Sequence, residues 1–364
     1  MNINEVNGVT SAPVRPTISV IVPVYNGGAS FRQCLLSLKA ADPSPTELIV
    51  VADGDTDGSG KVAEEAGARV LRLPYSQGPA AARNMGARAA QGAILFFIDA
   101  DVTIPKNAIG QVQKIFQQEP NLAAVFGSYD DAPAAPNFLS QYKNLLHHYV
   151  HQTAREDAST FWGACGAIRR DVFLSLGGFD SRYRYPSIED IELGYRVKQA
   201  GHKIQVGKTL QVKHWKRWNV FPLLKADLLY RALPWTKLIV RDRCLPNDLN
   251  LRLSSRASTV VVYGLVGTGV ASWWWSSAFV GMGALLVFLF ALNAPLYRFF
   301  WRKRGFWFTI RAIPWHWFYY FYSGLAFAIG VAYALWSKEQ APTTGCSSSQ
   351  DKWRGQVKSP ERSS

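Results

Sequence analysis

The 364-residue sequence is poor in cysteine, and its cysteines form no recognisable metal or disulfide pattern. The four residues, Cys34, Cys165, Cys244 and Cys346, stand far apart and include no C-x-x-C pair. This spacing argues against a zinc site and against a disulfide framework. The first 17 residues contain no apolar run, which excludes a secretory signal there. We therefore expect the first large domain to stay in the cytoplasm with its thiols reduced.

Acidic residues are also scarce relative to basic ones. The chain has 40 Lys and Arg against 26 Asp and Glu, a net charge of +14. Such an excess indicates an anionic partner: nucleic acid, a phosphate-bearing substrate or an anionic membrane surface. Much of the excess lies beside apolar stretches, where anionic lipid is the nearer partner, so we expect no nucleic acid. The 13 Trp fit this interpretation, because Trp collects at bilayer interfaces.

Charged residues are absent altogether from residues 257–297. A single membrane span needs about 20 apolar residues, so this stretch fits two short spans joined by a turn near residues 272–277. A third apolar stretch covers residues 313–336. We therefore predict a membrane region of about three spans at residues 257–336.

Two basic clusters flank the first two predicted spans. One is the aromatic and basic segment 296–312, and the other lies in a predicted interfacial helical linker, residues 221–256. The positive-inside rule places both in the cytoplasm, which requires an even number of spans between them. The polar tail 337–364 is then expected to be disordered on the outer side, and residues 1–16 to be flexible. We expect an integral protein of the bacterial inner membrane with its first large domain in the cytoplasm.

The first hundred residues alternate between β-branched apolar runs and segments with helical spacing. The runs predict strands at residues 18–23, 47–51, 69–73 and 93–98, with helices at 30–40, 61–66 and 79–90. This alternation favours a parallel sheet with right-handed crossovers. Ligands bind such sheets at the carboxyl ends of the strands. Tyr25-Asn26, Asp53-Gly54 and Asp99-Ala100-Asp101 all follow predicted strands, so they converge on one edge.

The pattern changes after residue 127. Helical spacing predicts helices at residues 138–151 and 188–199, and residues 162–168 are a run of small residues. Asp99-Ala100-Asp101 is the sharpest local signal, because two carboxylates after a buried strand can hold a divalent metal against a diphosphate. Taken alone, a solvated pair of aspartates is the simpler interpretation.

Six motifs in order make the chain resemble the family 2 glycosyltransferases with a GT-A fold. They are Ile21-Val22-Pro23-Val24-Tyr25-Asn26, Asp53-Gly54-Asp55-Thr56-Asp57-Gly58-Ser59, Gly78-Pro79-Ala80-Ala81-Ala82-Arg83-Asn84, Asp99-Ala100-Asp101, Gly177-Gly178-Phe179-Asp180 and Glu189-Asp190. The resemblance covers roughly residues 17–218. It implies a catalytic domain at residues 17–220 with a Rossmann-like GT-A fold: a mixed, mainly parallel sheet with helices on both faces, followed by transmembrane helices.

The resemblance assigns the donor-binding residues. Pro23 and Tyr25 would border the nucleotide base, and Asp53 would accept a hydrogen bond from the base. Arg83 would neutralise the diphosphate, a task that suits a permanently charged, planar guanidinium. Without the resemblance, core packing would be the default for Tyr25 and a surface salt bridge for Arg83. Ala52 replaces an acidic residue usual in the family, and this departure bears on base identity.

The same resemblance implies a Mg²⁺ or Mn²⁺ site. Asp101 would ligate the metal, Asp99 would contact the ribose or the metal shell, and His214 could complete that shell as a neutral imidazole. His214 opens His214-Trp215-Lys216-Arg217-Trp218, which resembles the Q-x-x-R-W motif of processive synthases with His in place of Gln. Arg217 and Trp218 would then face the acceptor. An interfacial aromatic and basic patch explains the segment equally well.

Glu189-Asp190 opens a predicted helix, where the helix dipole alone favours carboxylates. The family makes one of them the general base that deprotonates the acceptor hydroxyl. We favour Asp190, with Glu189 second, and expect inversion at C1 of the sugar. Trp162 and Gly163 match the family's acceptor loop. His147 and His151, at i and i+4, could bind metal, although a solvated or acceptor-facing role is the simpler prediction.

These observations predict inverting, metal-dependent transfer of a sugar from a nucleotide sugar, with UDP the commoner family choice. The expected acceptor is a membrane lipid such as polyprenyl phosphate or a glycolipid. A processive polysaccharide synthase is the alternative among enzymes, but three short spans are few for an export channel. A non-catalytic membrane sensor or scaffold for nucleotide sugars is the alternative of another class. It predicts loss of the site carboxylates, all of which are present.

Overall fold

The computed structural model describes residues 15–243 and 245–336. The predictions for the N-terminal residues 1–14, Cys244, Cys346 and the tail 337–364 lie outside these ranges.

A mixed eight-stranded sheet forms the centre of the N-terminal part. The strands are β1 (Ile18–Val24), β2 (Glu47–Asp53), β3 (Arg69–Leu73), β4 (Ile94–Ile98), β5 (Val102–Thr103), β6 (Leu122–Tyr129), β7 (Cys165–Arg169) and β8 (Lys203–His214). Their spatial order is β3-β2-β1-β4-β7-β6-β8-β5. The pairs β2–β3, β1–β2, β1–β4 and β6–β8 are parallel, whereas β7 is antiparallel to β4 and β6, and β5 to β8. The mixed, mainly parallel sheet is confirmed.

Apolar clusters cover both faces of the sheet. The strands β1 and β4 are rows of β-branched and aromatic residues, and every residue of β4 is buried. Alternate side chains therefore enter two separate cores, one with Val20 and Phe96 and the other with Ile21 and Phe97. The helices of this part are α1 (Gly28–Lys39), α2 (Ser59–Glu65), α3 (Pro79–Ala89), α4 (Ala108–Gln118), α5 (Phe138–Gln152), α6 (Arg170–Ser175) and α7 (Glu189–Gln199).

Four strands, β5 to β8, were not predicted from the sequence. The run of small residues at 162–168 contains the start of β7, Cys165-Gly166-Ala167. This strand is inserted between β4 and β6. A Cβ at Gly166 would lie 2.3 Å from the Trp162 carbonyl oxygen, so only glycine fits there. The long strand β8 carries His214 at its end and pairs with β5 next to the Asp99-Ala100-Asp101 motif.

The C-terminal part is helical. Residues 220–242 form one run: α8 (Val220–Lys225), a π-helical segment (Ala226–Ala232) and α9 (Leu233–Asp242). A 3₁₀ turn (Leu249–Leu251) precedes α10 (Leu253–Ala271) and α11 (Ala278–Trp336), which is interrupted at Gly305, where φ is 80°. Among the described residues, α11 is long and apolar enough to cross a membrane, and 17% of its most apolar stretch is buried.

The C-terminal helices share a core with the sheet domain. Tyr142 of α5 packs with Phe300 and Ala312 of α11. The two basic clusters also reach α5: Arg252 donates to Thr153 and to the Val150 carbonyl, and Arg304 donates to Gln141. Both basic clusters therefore lie on the side of the sheet domain, as expected if α10 and the first half of α11 lead away from that domain and back to it.

Candidate active site

Arg83 is the centre of a buried ion network at the carboxyl edge of the sheet. It projects from α3 and is 5% exposed. Its Nη2 donates to Asp99 Oδ1 at 2.6 Å, and its Nη1 donates to Glu189 Oε1 at 2.9 Å. Burial alone would lower the pKa of the guanidinium, but Asp99 and Glu189 raise it, so Arg83 is held ionised. The structure thus joins three predicted site residues from distant parts of the chain.

The neighbouring residue Asn84 fixes a second family motif. Its amide accepts a hydrogen bond from Phe179 N at 2.8 Å and donates to the Phe179 carbonyl at 2.7 Å. Gly178 has a φ of 74°, and a Cβ there would lie 2.5 Å from Asn84 Oδ1. The Phe179 ring in turn lies 5.4 Å from the Arg83 guanidinium. The turn containing Gly178 therefore positions α3, and with it Arg83, against the ends of the strands.

The two carboxylates at the start of α7 have different surroundings. Glu189 is 4% exposed, and its two oxygens accept hydrogen bonds from Arg83 and from the backbone N–H of Ser187. Asp190 accepts hydrogen bonds from the backbone N–H groups of Gly163 and Ile191 and lines a large cavity. Burial, and then the charge of Glu189, raises the pKa of Asp190 to about 7. Of the pair, Asp190 is the group that a substrate in the cavity can reach.

Asp101 and His214 face each other across the short β5–β8 pair. The distance from His214 Nε2 to Asp101 Oδ2 is 3.5 Å. Burial opposes ionisation of Asp101, but His214 holds the pKa of this carboxyl below its usual value. Asp99 is turned to Arg83 instead. Within residues 15–243 and 245–336, no three His, Cys, Asp or Glu side chains are grouped to hold a metal ion, so the predicted trio Asp99, Asp101 and His214 does not form a ligand set by itself.

The cavity beside Asp190 has a volume of about 480 Å³. One end is lined by Asp190, Trp162 and His214, and the other by Val260, Gly324 and Phe327 of α10 and α11. One cavity therefore contacts both the strand ends and the C-terminal helices. Apolar lining dominates, with polar groups supplied by several elements, a composition typical of small-molecule sites.

Aromatic rings form one wall of the cavity. Tyr129 stacks on His214, with ring centroids 4.1 Å apart and an interplanar angle of 9°. It also meets Trp162 edge to face, with ring centroids 4.8 Å apart. His147 and His151 lie on the same wall, with ring centroids 3.9 Å apart. Burial lowers the pKa of His147 well below its usual value and that of His151 to about 4, so both are neutral at pH 7. Both histidines line the cavity, and a contact with the acceptor stays a prediction.

The predicted base-binding residues lie farther along the sheet edge. Tyr25 is 58% exposed, and Pro23 is half-buried at the end of β1. Asp53 is buried, and its carboxylate accepts hydrogen bonds from the Ser76 hydroxyl and from the backbone N–H groups of Gln77 and Gly78. The structure therefore gives Asp53 a role in shaping the loop before α3. Its contact with a base stays a prediction.

The two predicted acceptor residues of the 214–218 segment diverge. Trp218 is buried, lines the cavity and packs against Leu139 and Leu223. Arg217 is exposed and is not among the cavity residues. The cavity is lined instead by Lys143, Asp227 and Arg231, which we did not predict. The available signal was an acid and an arginine at i and i+4 within an otherwise apolar helical stretch.

Comparison with known families decides the identity of the sheet domain. Residues 19–177 match the family model described as glycosyl transferase family 2. This part of the chain is a family 2 glycosyltransferase domain. The match ends before Glu189-Asp190 and before the C-terminal helices.

Two curated relatives agree with this assignment. Over 274 residues the chain is 28% identical to the pre-mycofactocin glycosyltransferase of Mycobacterium tuberculosis, covering 71% of this chain and 55% of the relative. It is 27% identical to an uncharacterised glycosyltransferase of Haemophilus influenzae, covering 56% of this chain and 70% of that protein. The chain thus spans about half the length of the mycobacterial relative.

A solved structure confirms the fold of the glycosyltransferase domain. The mannosyltransferase PcManGT from Pyrobaculum calidifontis, solved in complex with GDP-Man and Mn²⁺, superimposes with a TM-score of 0.52. The match covers 78% of this chain and 87% of that enzyme, at 18% sequence identity. At this identity the likeness establishes the GT-A fold.

Proposed function

We propose that the protein transfers a sugar, with inversion, from a nucleotide sugar to a lipid acceptor that enters from the membrane. The observation that carries this proposal is the single cavity that joins Asp190 to α10 and α11. A lipid headgroup in that cavity would meet the predicted base, while its tail would follow the apolar helices. The GDP-Man complex of the mannosyltransferase with the same fold supports a nucleotide-sugar donor.

Membrane attachment is supported by the apolar surface of the C-terminal helices. Val260 and Val270 of α10 and Val280 and Val287 of α11 are all more than half exposed, and so are the tryptophans 273–275 between these helices. Apolar surface of this extent marks contact with lipid or protein. We infer that α10 and α11 lie in a bilayer, with the glycosyltransferase domain on its cytoplasmic face.

In the proposed mechanism, Asp190 takes the proton of the acceptor hydroxyl. The acceptor oxygen then bonds to C1 of the sugar as the bond from C1 to the diphosphate oxygen breaks, and the configuration at C1 inverts. Backbone N–H groups of Gly163 and Ile191 hold one oxygen each of the Asp190 carboxylate. They fix the direction of the remaining lone pairs, as a general base requires. Glu189 keeps Arg83 in place and so has a positioning role.

Asp101 and His214 fit a divalent metal that is also held by the donor. A carboxylate suits Mg²⁺ and Mn²⁺, and both metals commonly keep positions for phosphate and water. The separation of 3.5 Å lets both side chains reach one ion. When bound, Mg²⁺ or Mn²⁺ would stabilise the charge of the leaving diphosphate as a Lewis acid. Arg83 adds a fixed positive charge beside Asp99.

Nucleoside diphosphate release tests the proposal. The full chain in lipid nanodiscs is incubated with a panel of nucleotide sugars, a membrane lipid extract and Mg²⁺ or Mn²⁺. We expect release with one donor, loss of release on chelation, and loss in Asp101→Ala and Asp190→Ala. Full activity in both variants would overturn the assigned roles. NMR of the product then reports its configuration, and retention at C1 would exclude the direct displacement.

A further inference from the structure

A buried ion cluster lies in the wall of the cavity, where the π-helical segment meets α5 and α11. Both oxygens of Asp227 accept hydrogen bonds from Lys143, at 2.7 and 2.8 Å. Asp227 also accepts from Arg231 at 3.0 Å and from the Tyr322 hydroxyl at 2.9 Å. One carboxylate therefore serves two cations, and one positive charge is left without a counter-charge.

Arg231 is the most exposed of the three charged members of the cluster that line the cavity. Its side chain is 46% exposed, against 6% for Asp227 and 19% for Lys143. Among the described residues, Asp227 is the hydrogen-bond partner of its guanidinium. A guanidinium carries five N–H donors in a planar fork, so most of the donors of Arg231 are available to a ligand.

Arg231 lies beside the loop that carries the proposed base. The Ser187 hydroxyl donates to the carbonyl of Tyr230 at 2.5 Å, which ties the residue before Arg231 to the segment that leads into Asp190. Both Arg231 and Asp190 line the same cavity. π-Helical turns are uncommon and are often found at functional sites. The segment Ala226–Ala232 thus presents a cation next to the reacting end of the cavity.

The other basic side chains of the cavity are occupied or uncharged. Arg256 donates to the backbone carbonyls of Leu245, Pro246 and Leu251. His147 and His151 are neutral at pH 7 because burial lowers their pKa. Within the described part of the chain, Arg231 makes a single side-chain hydrogen bond and therefore has more donors to spare than Arg256, which uses three. Lys143 and Arg231 share the one carboxylate of Asp227, so a neutral acceptor would leave the net positive charge of the cluster unbalanced in a mostly apolar space, which is costly.

We propose that Arg231 binds a phosphate group of the lipid acceptor. A guanidinium fork pairs with phosphate through two parallel hydrogen bonds. The apolar end of the cavity, at Val260 and Phe327, then receives the start of the lipid tail. The proposal rests on the proposed function, because only that function makes the bound lipid an acceptor. It narrows the acceptor to an anionic amphiphile.

Equilibrium binding tests this assignment without turnover. The full chain in nanodiscs of neutral lipid is titrated with fluorescent dodecyl phosphate and with the matched dodecanol probe. We expect Arg231→Gln to weaken phosphate-probe binding about tenfold or more, because a charge-assisted bidentate pair is lost, and to leave the alcohol probe unchanged. Arg231→Lys keeps the charge without the fork and should fall between. Arg302→Gln removes an exposed charge outside the cavity and should bind both probes like the wild type.

Three outcomes would overturn the proposal. The first is equal loss of the phosphate and alcohol probes in Arg231→Gln. The second is displacement of the phosphate probe by an equal concentration of inorganic phosphate, which would make the site one for the free ion. The third is weaker binding of nucleoside diphosphate in Arg231→Gln, which would assign Arg231 to the donor. A chain that binds the phosphate probe as expected but turns over no donor would refute the proposed function and leave this site standing.

Discussion

The two ends of the site are held together by different forces. At the strand edge, Arg83, Asp99 and Glu189 form a buried network in which hydrogen bonds of 2.6 and 2.9 Å fix each charge. At the helical end, the cavity is bounded by apolar side chains from α5, α9, α10 and α11, and Arg231 is half-exposed within it. The strand edge is therefore rigid through its electrostatics, and the helical end has its shape set by packing. Substitutions at the two ends should therefore distinguish the effect of the ion network from the effect of apolar packing.

Asp190 lies where the two ends meet, and its loss should have the largest effect on activity. Replacing a general base removes about 10²- to 10⁴-fold of rate, so Asp190→Asn should lower kcat by that range. Asn retains one oxygen for the Gly163 N–H but no acceptor for the Ile191 N–H, so the thermal midpoint should fall by only a few degrees. Rates and melting curves of the purified protein check both parts. Glu156→Gln removes an exposed carboxylate as a control, and an active Asp190→Asn would exclude this base.

Arg83→Gln should produce the largest loss of stability. It leaves Glu189 buried without its cation, and breaking such a pair costs about 3–5 kcal/mol. Arg231→Gln is the matched change at the helical end. Asp227 keeps Lys143 there, and Arg231 is half-exposed, so the expected cost is below about 1 kcal/mol. Denaturant unfolding measures both, and equal costs would show that the two ends do not differ in their support.

The pH profile sharpens the role assigned to Asp190. Burial and the charge of Glu189 raise its pKa to about 7, and a base acts when deprotonated. The value of kcat/KM should be level above pH 7 and fall about tenfold per unit below it. Glu189→Gln removes the neighbouring negative charge, which should move the fall to lower pH. A profile that stays flat down to pH 5 would contradict a base with this pKa.

Much of the strand edge could be predicted because its parts follow from local sequence. Strands such as β1 and β4 are continuous apolar runs, and topology alone brings their carboxyl ends together. Tyr25-Asn26, Asp53-Gly54 and the Asp99 motif were placed on one edge for this reason. The sequence analysis favoured Asp190 over Glu189 but contained no structural reason for it, because that reason is the ion pair of Glu189 with Arg83, 106 residues away.

The helical end escaped prediction because no local pattern defines it. Lys143, Asp227 and Tyr322 meet only after α5, the π-helical segment and α11 have packed together. Likewise, the segment 296–312 has the composition of an interfacial segment, yet part of it docks on the sheet domain through Arg304 and the aromatic cluster with Tyr142. Side chains of this kind acquire their roles from tertiary contacts, so spacing along the chain carries little information about them.

A polar network within the helices offers the smallest test of the comparison. The Tyr320 hydroxyl donates to Asn293 Oδ1 at 2.8 Å, and Asn293 Nδ2 donates to Ser258 Oγ at 3.0 Å, which joins α10 to both halves of α11. Tyr320 also lines the cavity. Tyr320→Phe should cost about 1 kcal/mol, since hydrogen bonds between helices in lipid are individually weak.

If packing sets the shape of the helical end, this loss should raise the KM for the lipid acceptor a few-fold. The KM for the nucleotide sugar should not change, because the strand edge keeps its own network. Tyr333→Phe removes a hydroxyl from a half-exposed position of α11 and serves as the control. Parallel changes in both KM values would mean that α10 and α11 also determine the donor site, and the division between a rigid edge and a packed cavity would then have to be given up.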